Sequence, residues 1–332
     1  MKNTGSLSMK KKILVMAQVP LAGLTELQEQ FDIIYPETFY FNDSDLRKHI
    51  VDVDGILSVF TAPLGSELLQ MAPRLRIISN FGVGYNNIDL DYATARGIAV
   101  CNTPNSVTEP TAEMAMGLMI SLMRRISETD RKLRSVSGLK WGMMENLGSS
   151  LFGKTLGIIG MGRIGQALAR RGVASGMKVI YYNRQRLDAA TELLYGASLV
   201  SFNGLVRQSD IISLHCPLTD DTHHLIGENE FTQMKDGVYI INTARGAVID
   251  ERALVRHLAG GKIGGAGLDV FEEEPMISQE LYLMDNVVLT PHNATGTIDT
   301  RIATAHEASE NLIRFFNERY DISIVNPAVL KL

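Results

Sequence analysis

Three side chains suited to acid–base chemistry each follow an apolar, strand-like run of the sequence. Arg245 follows VYIIN, Glu274 follows GAGLDV, and His292 ends VVLTPH. A guanidinium can orient a carboxylate and polarise a carbonyl group. An imidazole can donate a proton near neutral pH, and a carboxylate behind it would fix its tautomer and stabilise the imidazolium. Together these residue types are suited to hydride transfer to a 2-keto acid.

Each of the three residues has an ordinary structural explanation when it is taken alone. An Arg after a strand is usually a surface charge, a His after a Pro a turn residue, and a Glu in the acidic run EEEP a solvated group. Their common placement changes this interpretation, because open α/β sheets bind ligands beyond the carboxyl ends of their strands. We therefore expect Arg245, Glu274 and His292 to face one crevice.

A glycine-rich turn predicts a site for the diphosphate of a dinucleotide. The run TLGIIGMGRIG places Gly160, Gly162 and Gly165 between an apolar strand and a helix, and the strand KVIYY follows. The first glycine permits the tight turn, the second admits the pyrophosphate, and the third lets the helix pack close to the strand. N–H groups at the start of the helix then face the anion. The alternative is a purely structural glycine turn.

The end of the next strand distinguishes between two dinucleotides. The NAD pattern places Asp or Glu about 20 residues after the fingerprint, where it accepts from the ribose hydroxyls. This chain reads Asn183-Arg184-Gln185-Arg186 there, without a carboxylate. Because a guanidinium can pair with a 2′-phosphate, the sequence favours NADP(H), with Arg184 as the partner. NAD(H) stays possible if Arg184 and Arg186 are solvated surface charges.

Alternating strand-like and helix-like runs predict an α/β fold with parallel sheets. Helices are predicted over 106–125 and 299–317. The strand-like runs form two series. The first series comprises 13–17, 55–60, 75–81 and 98–102. The second series comprises 155–160, 178–182, 198–202, 211–216, 238–243, 265–271 and 286–292.

Composition excludes several other classes of protein. The 332 residues are 45% hydrophobic and 21% charged with a net charge of −5, which is typical of a globular chain with about two domains. This weakly acidic chain is not expected to bind nucleic acid or an anionic membrane. A membrane-spanning helix needs about 18 consecutive apolar residues, and no run in the sequence is that long. Cys101 and Cys216 fit neither a metal motif nor a disulfide framework. We expect reduced thiols, a cytoplasmic location and no bound metal.

The motifs together resemble the D-isomer-specific 2-hydroxyacid dehydrogenase family over nearly the whole chain. MKDGVYIINTARGAVID resembles the arginine segment of the family, GAGLDVFEEEP its glutamate segment, and TPH its histidine. The resemblance implies that Arg245, Glu274 and His292 are the catalytic residues. Within the family, YYNRQR and residues 103–125 are most similar to the glyoxylate/hydroxypyruvate reductase branch, which often uses NADPH.

The resemblance also implies the residues that contact substrate and cofactor. NFGVGYNNID resembles a substrate loop in which N–H groups near Val83 and Gly84 hold the substrate carboxylate, and Trp141 matches a tryptophan that can reach a neighbouring subunit's pocket. Arg245 would bind substrate as well. The implied cofactor residues are Thr111, Gly160, Gly162, Arg163, Ile164, Gly165, Asn183, Arg184, Cys216, Pro217, Thr222, Thr243, Ala244 and Asp269. The run NATG after His292 departs from the family's usual GSAT and leaves substrate preference open.

The family fold implies a Rossmann dinucleotide-binding domain inserted into a discontinuous, flavodoxin-like substrate domain. The Rossmann domain would cover 106–294 and the substrate domain 9–105 plus 295–332, after a loose tail at 1–8. The resemblance further implies closure around the substrate. It also implies a homodimer formed through residues 106–150.

The expected function is NAD(P)H-dependent reduction of a small 2-keto acid, glyoxylate or hydroxypyruvate, to the D-2-hydroxy acid, with His292 as proton donor. The enzymatic alternative is an NAD-dependent phosphoglycerate or other D-2-hydroxyacid dehydrogenase. An alternative of another class is a non-catalytic, dinucleotide-sensing protein similar to a corepressor. The complete set of Arg, Glu and His disfavours this last alternative.

Overall fold

A computed structural model describes residues 10–135 and 138–331; the tail predicted at 1–8 lies outside them. The chain divides into a first unit that ends at Val107 and resumes at Gly296, and a second unit, Thr108–Thr295. The strands are β1 Lys12–Val15, β2 Asp32–Ile34, β3 Gly55–Val59, β4 Ile77–Phe81, β5 Ala99–Cys101, β6 Thr155–Ile159, β7 Lys178–Tyr182, β8 Ala197–Leu199, β9 Ile211–Leu214, β10 Val238–Asn242, β11 Ile263–Leu268 and β12 Val287–Leu289. The helices are α1 Thr25–Gln30, α2 Asp43–Ile50, α3 Ser66–Leu69, α4 Leu90–Ala95, α5 Pro104–Met123, α6 Ile126–Arg134, α7 Arg163–Ala174, α8 Ala189–Leu194, α9 Phe202–Gln208, α10 Glu228–Gln233, α11 Glu251–Ala259, α12 Gln279–Tyr282 and α13 Ile298–Phe316.

The first unit is built on a five-stranded sheet in the order β2-β1-β3-β4-β5. All of its strand pairs are parallel. β3 and β4 are buried along their whole length, as expected when helices cover both faces of a parallel sheet. α13 packs on this sheet with its apolar face, which includes Ala308 and Leu312. The strand order is that of the flavodoxin-like folds.

The second unit is built on a seven-stranded parallel sheet in the order β12-β11-β10-β9-β6-β7-β8. Counted within the unit, six of its strands follow the order 3-2-1-4-5-6 of the Rossmann fold, and β12 extends the sheet beyond them. The order reverses between the neighbours β6 and β9. Ligands of doubly wound sheets bind at such a reversal, beyond the carboxyl ends of the two strands. The predicted α/β fold class is therefore confirmed, with both sheets parallel.

Predicted and observed elements differ mainly at the margins. α5 and α13 coincide with the predicted helices to within two residues. β2 was missed, because it is a three-residue edge strand of sequence DII and too short for a periodic pattern. Within the described residues no helix has the length and apolarity that a membrane crossing requires.

Candidate active site

The turn between β6 and α7 has the geometry of a phosphate-binding loop. Gly160 has φ +96°, and a Cβ on it would lie 2.6 Å from the Cys216 nitrogen. A Cβ on Gly165 would lie 2.4 Å from the Gly160 oxygen. Neither position tolerates a side chain without a shift of backbone, whereas a Cβ on Gly162 would meet no atom within 4 Å. Gly162 thus leaves open space at the amino end of α7, where free N–H groups favour an anion.

Asn183 holds this turn from the end of β7. Its Oδ1 accepts a hydrogen bond from the Met161 N–H at 2.7 Å. The Gly160 N–H donates to the Tyr182 oxygen at 3.0 Å. The residue that occupies the place of the NAD-type carboxylate therefore fixes the glycine turn to the neighbouring strand.

A cavity of about 980 Å³ opens where the strand order reverses, between the ends of β6 and β9. Seven predicted cofactor residues line it, namely Gly160, Gly162, Asn183, Arg184, Cys216, Pro217 and Thr222. The other lining residues are Ile159, Tyr182, Gln185, His215, Thr219, Asp221 and Leu225. These residues flank the motif residues in the sequence, and that adjacency is the only signal that could have found them. The volume suits a ligand of the size of a dinucleotide.

The charges in the cavity come from one guanidinium and one carboxylate. Within residues 10–135 and 138–331, Arg184 makes no ion pair. Arg186 instead pairs with Glu192 at 2.8 Å. Asp221 supplies the carboxylate. Of the two arginines considered from the sequence, only Arg184 is thus available to a ligand in this cavity.

His215 adds a neutral imidazole to the wall of the cavity. Burial lowers the pKa of His215 to about 4, so the ring is uncharged at neutral pH. Its Nε2 hydrogen-bonds with the Ser213 hydroxyl at 2.8 Å, whereas its buried Nδ1 has no partner among the described residues. Buried polar atoms are nearly always hydrogen-bonded. An orphaned nitrogen beside an open glycine turn fits a site that receives a polar ligand.

The remaining predicted cofactor residues do not line this cavity. Thr111 is buried in α5, and Arg163, Ile164 and Gly165 form the first turn of α7. Thr243 and Ala244 are buried just beyond β10. The Thr243 hydroxyl is buried without a partner among the described residues, which makes it a second candidate ligand atom.

His292 and Glu274 form a hydrogen-bonded pair in the second unit. Nδ1 of His292 donates to Oε2 of Glu274 at 2.7 Å. The other carboxylate oxygen, Oε1, accepts from the Phe271 N–H at 3.0 Å. Because an ionised carboxylate only accepts, this contact places a proton on Nδ1 and leaves Nε2 as the nitrogen that can exchange one with a ligand.

The surroundings of Glu274 keep it ionised. Burial alone would raise the pKa of Glu274. The hydrogen bonds from His292 and Phe271 and the charge of Arg245 outweigh that effect and hold the pKa below its ordinary value. Glu274 therefore faces the imidazole as a carboxylate at neutral pH.

Arg245 lies just beyond the end of β10, where hydrogen bonds hold both its side chain and its backbone. Its Nη1 donates to the Ala244 oxygen at 2.6 Å, and its own carbonyl oxygen accepts from the Asn242 side chain at 2.9 Å. Burial lowers the pKa of Arg245, and the nearby charge of Glu274 opposes this shift. A partly desolvated guanidinium of this kind is a strong partner for a carboxylate.

A backbone contact joins the Arg245 and Glu274 segments. A Cβ on Gly246 would lie 1.8 Å from the Phe271 carbonyl carbon and 2.4 Å from the Glu272 nitrogen. Only a glycine permits this approach. The sequence motif ARG thus needs its glycine for packing, a role that the sequence alone did not indicate.

Asp269 holds the loop that carries His292. Its buried carboxylate accepts from the Thr290 hydroxyl at 2.6 Å and from the N–H groups of Asn293 and Ala294, both at 2.9 Å. Its backbone oxygen accepts from the His292 N–H at 2.8 Å. His292 has φ +50°, an uncommon value for a residue other than glycine. The structure thereby gives Asp269 a positioning role, in addition to the cofactor contact that the resemblance implies.

The predicted substrate residues Val83 and Gly84 belong to the first unit. The Val83 oxygen accepts from the Asn102 side chain at 2.9 Å, and the Gly84 oxygen accepts from Asn80 at 2.7 Å. Both carbonyl groups are thus tied back to the unit. Trp141, which belongs to the second unit, is 84% exposed.

Comparison with known proteins assigns the family. The model of the NAD-binding domain of D-isomer-specific 2-hydroxyacid dehydrogenases matches residues 116–294. A glyoxylate reductase of Thermococcus litoralis is 43% identical over 97% of this chain and 98% of its own length. The chain belongs to the D-isomer-specific 2-hydroxyacid dehydrogenase family. It is therefore an oxidoreductase that acts on CH–OH groups with a nicotinamide dinucleotide, and the resemblance in the sequence is confirmed.

Solved structures of other 2-hydroxyacid dehydrogenases are similar to this member of the family. The crystal structure of a glyoxylate reductase from Paecilomyes thermophila has a TM-score of 0.87 with 35% identity, and covers 95% of this chain and 98% of its own. That of an NADPH-dependent glyoxylate/hydroxypyruvate reductase from Sinorhizobium meliloti, in complex with NADP and malonate, has a TM-score of 0.83 with 32% identity, and covers 96% and 98%. The two-sheet architecture of this dehydrogenase is thus that of its family.

Proposed function

We propose that this 2-hydroxyacid dehydrogenase reduces glyoxylate or hydroxypyruvate to the corresponding 2-hydroxy acid with NADPH or NADH. The observation that carries the proposal is the 2.7 Å contact of His292 Nδ1 with Glu274 Oε2, close to the guanidinium of Arg245. The reductase names of the relatives from Thermococcus litoralis and Sinorhizobium meliloti support the choice of substrate.

Each catalytic residue has a separate task in the proposed reaction. Bound NAD(P)H supplies the hydride that is added to C2 of the keto acid. Arg245 binds the substrate carboxylate and polarises the carbonyl oxygen. His292, as imidazolium, delivers the Nε2 proton to that oxygen, and Glu274 stabilises the imidazolium through the Nδ1 proton. In the reverse direction neutral His292 removes the hydroxyl proton.

The domain roles and the substrate contacts follow the same proposal. Residues 106–294 form the dinucleotide-binding domain, and residues 9–105 with 295–332 form the substrate domain. N–H groups near Val83 and Gly84 hold the substrate carboxylate, and Trp141 completes the pocket of a neighbouring subunit.

The exposure of Trp141, Met143 and Met144 supports a homodimer. The mass of the protein in solution tests whether it is a dimer. The free thiols of Cys101 and Cys216 support a cytoplasmic location.

A panel of keto acids tests the proposed function. Glyoxylate, hydroxypyruvate, pyruvate and phosphohydroxypyruvate are each supplied with NADPH and with NADH, and loss of nicotinamide absorbance is followed. We expect glyoxylate or hydroxypyruvate to give the highest kcat/KM. A preference for phosphohydroxypyruvate with NADH would support the phosphoglycerate dehydrogenase alternative. Binding of dinucleotide without turnover of any keto acid would support the sensor alternative.

Arg184 is proposed to set a preference for NADP(H). Changing Arg184→Asp is expected to lower the ratio of kcat/KM for NADPH to that for NADH by about tenfold to a hundredfold. The reason is that a charge-assisted hydrogen bond to the 2′-phosphate is worth about 1.5–3 kcal/mol. Steady-state kinetics with both cofactors measures this ratio. Arg186→Gln is the matched control, because Arg186 pairs with Glu192; an unchanged ratio in the Arg184 variant would remove the proposed role.

Glu274 is expected to set the alkaline limit of the reduction. The pKa of Glu274 is lowered in the folded protein from its ordinary value of 4.5. Glu274 is therefore a carboxylate at every pH above 4.5 and becomes protonated only as the pH falls through the lowered pKa. Changing Glu274→Gln removes the charge that stabilises the imidazolium. The alkaline limb of the kcat/KM profile for keto-acid reduction should therefore move to lower pH.

The pH profile is measured for the wild type, for Glu274→Gln and for Glu273→Gln. Glu273 is the exposed neighbour of Glu274 and controls for a general loss of negative charge. An identical alkaline limb in all three proteins would contradict the proposed support of His292.

A further inference from the structure

A cluster of two imidazoles and one carboxylate lies outside the site described above. One ring nitrogen of His223, one of His224 and one carboxylate oxygen of Glu272 lie within 4.8 Å of one another. Although no bound metal is expected from the sequence, we propose that His223, His224 and Glu272 bind one divalent transition-metal ion, with Zn²⁺ as the best match. This inference does not depend on the proposed reductase activity.

The backbone at the second of the two histidines has an unusual conformation. His224 has φ +50°, the left-handed conformation that residues with a side chain seldom adopt. Its N–H donates to the Ala247 oxygen at 2.8 Å, and the Ile226 N–H donates to the Val248 oxygen at 3.1 Å. In this conformation the two rings stack with their centroids 4.0 Å apart. Backbone strain of this kind concentrates at functional sites.

The carboxylate is oriented by a second pair of hydrogen bonds. Oε2 of Glu272 accepts from the Glu251 N–H at 3.1 Å, and the Glu272 N–H donates to Oε2 of Glu251 at 3.0 Å. Glu251 is itself buried, and its Oε1 accepts from the Ser278 hydroxyl at 2.6 Å. This arrangement leaves Oε1 of Glu272 facing Nε2 of His224 at 2.6 Å. Metal-ligating carboxylates are typically oriented by such outer contacts.

The ligand set and its spacing suit a tetrahedral ion. Metal–ligand bonds of about 2.0–2.2 Å place tetrahedral ligands about 3.4 Å apart. The 2.6 Å between His224 and Glu272 and the upper limit of 4.8 Å for the cluster bracket that value. Two imidazoles and one carboxylate leave a fourth position for water, as in the His₂Glu zinc sites of enzymes. The ion would replace the proton of the hydrogen bond between His224 Nε2 and Glu272 Oε1.

Two members of the cluster, His224 and Glu272, line a second cavity whose charges favour a cation. This cavity of about 530 Å³ is lined by His224, Asp250, Glu251, Arg252, Glu272, Glu273, Met276, Ile277, Ser278 and Gln279. Its carboxylates outnumber its single guanidinium. None of these residues lines the dinucleotide cavity. The proposed metal site is therefore separate from the site that receives the cofactor.

Calorimetric titration of the metal-free full chain with ZnCl₂ and with NiCl₂ tests the proposal. We expect one ion per chain, and a fall in affinity of more than about tenfold in His223→Ala and in Glu272→Gln. His223 is exposed, so its removal is not expected to disturb folding. His257→Ala is the matched control, because His257 forms an imidazole–carboxylate contact with Glu228 at 2.9 Å outside the cluster. Thermal unfolding of each variant verifies that it is folded.

Three results would overturn the metal site. The first is the absence of Zn²⁺ and Ni²⁺ binding to the wild type up to millimolar metal. The second is equal affinity of the wild type, His223→Ala and Glu272→Gln. The third is loss of the binding in His292→Asn with retention in His223→Ala, which would place the ion on the catalytic pair.

Discussion

Changing His292→Asn is expected to lower kcat for keto-acid reduction by about 10²–10⁴-fold, the usual contribution of a positioned general acid. The substitution removes the only group proposed to protonate the substrate oxygen. Asparagine is chosen because it tolerates a positive φ better than other side chains, and position 292 has φ +50°. The Asp269 contacts that hold this loop involve backbone groups at 292–294 and the Thr290 hydroxyl, so they are retained.

Two measurements separate this loss of chemistry from a loss of structure. The affinity for NADPH, followed by its fluorescence, and the midpoint of thermal unfolding should both remain near those of the wild type. His257→Asn is the control, since His257 also contacts a carboxylate but lies on α11. A variant that kept more than about a tenth of wild-type kcat would disprove His292 as the proton donor.

Changing Arg245→Lys is expected to lower kcat/KM for the keto acid by about 10²–10³-fold, comparable with the loss of one preorganised donor to a developing oxyanion. Lysine keeps a positive charge but lacks the planar fork that can contact a carboxylate and a carbonyl oxygen together. The half-buried position also disfavours a charged lysine, because burial already lowers the pKa of Arg245. Substrate binding and transition-state stabilisation should therefore both suffer.

The readout for Arg245 is the pattern of kinetic constants. KM for the keto acid should rise and kcat should fall, whereas the affinity for the dinucleotide in the absence of substrate should stay the same. Arg252→Lys is the matched control, since Arg252 does not line the cofactor cavity but the cavity beside the proposed metal site. Wild-type kinetic constants in Arg245→Lys would refute the proposed contact with substrate.

The regular part of the fold was accessible from the sequence because its physical signals are local. Strands such as β6 and β10 are short apolar runs followed by turn or helix signals, and the glycine turn fixes the order strand, turn, helix. β2 gave no such signal, since three residues at a sheet edge need burial on one face only. Its pairing with β1 depends on a contact between distant segments, which periodicity does not report.

The candidate site was likewise predictable from the sequence only where the signals are local. Arg245, Glu274 and His292 were predicted because each follows a strand of one sheet, and the structure brings His292 and Glu274 into contact. The contacts of Asp269 with Thr290, Asn293 and Ala294 span more than 20 residues and have no sequence signature. Thr219 and Asp221 were not predicted either, because only their adjacency to Pro217 and Thr222 in the sequence points to the cofactor cavity.

The tight passage of Gly246 against Phe271 limits how this enzyme can diverge or be redesigned. A side chain at 246 would push apart two backbone segments, one next to Arg245 and the other leading to Glu274. Libraries that randomise position 246 should therefore return mostly inactive members, whatever substrate is used for selection. New specificities must instead arise from substitutions in loops that leave the contact of Gly246 with Phe271 unchanged. The segments that carry Arg245 and Glu274 therefore have to evolve together.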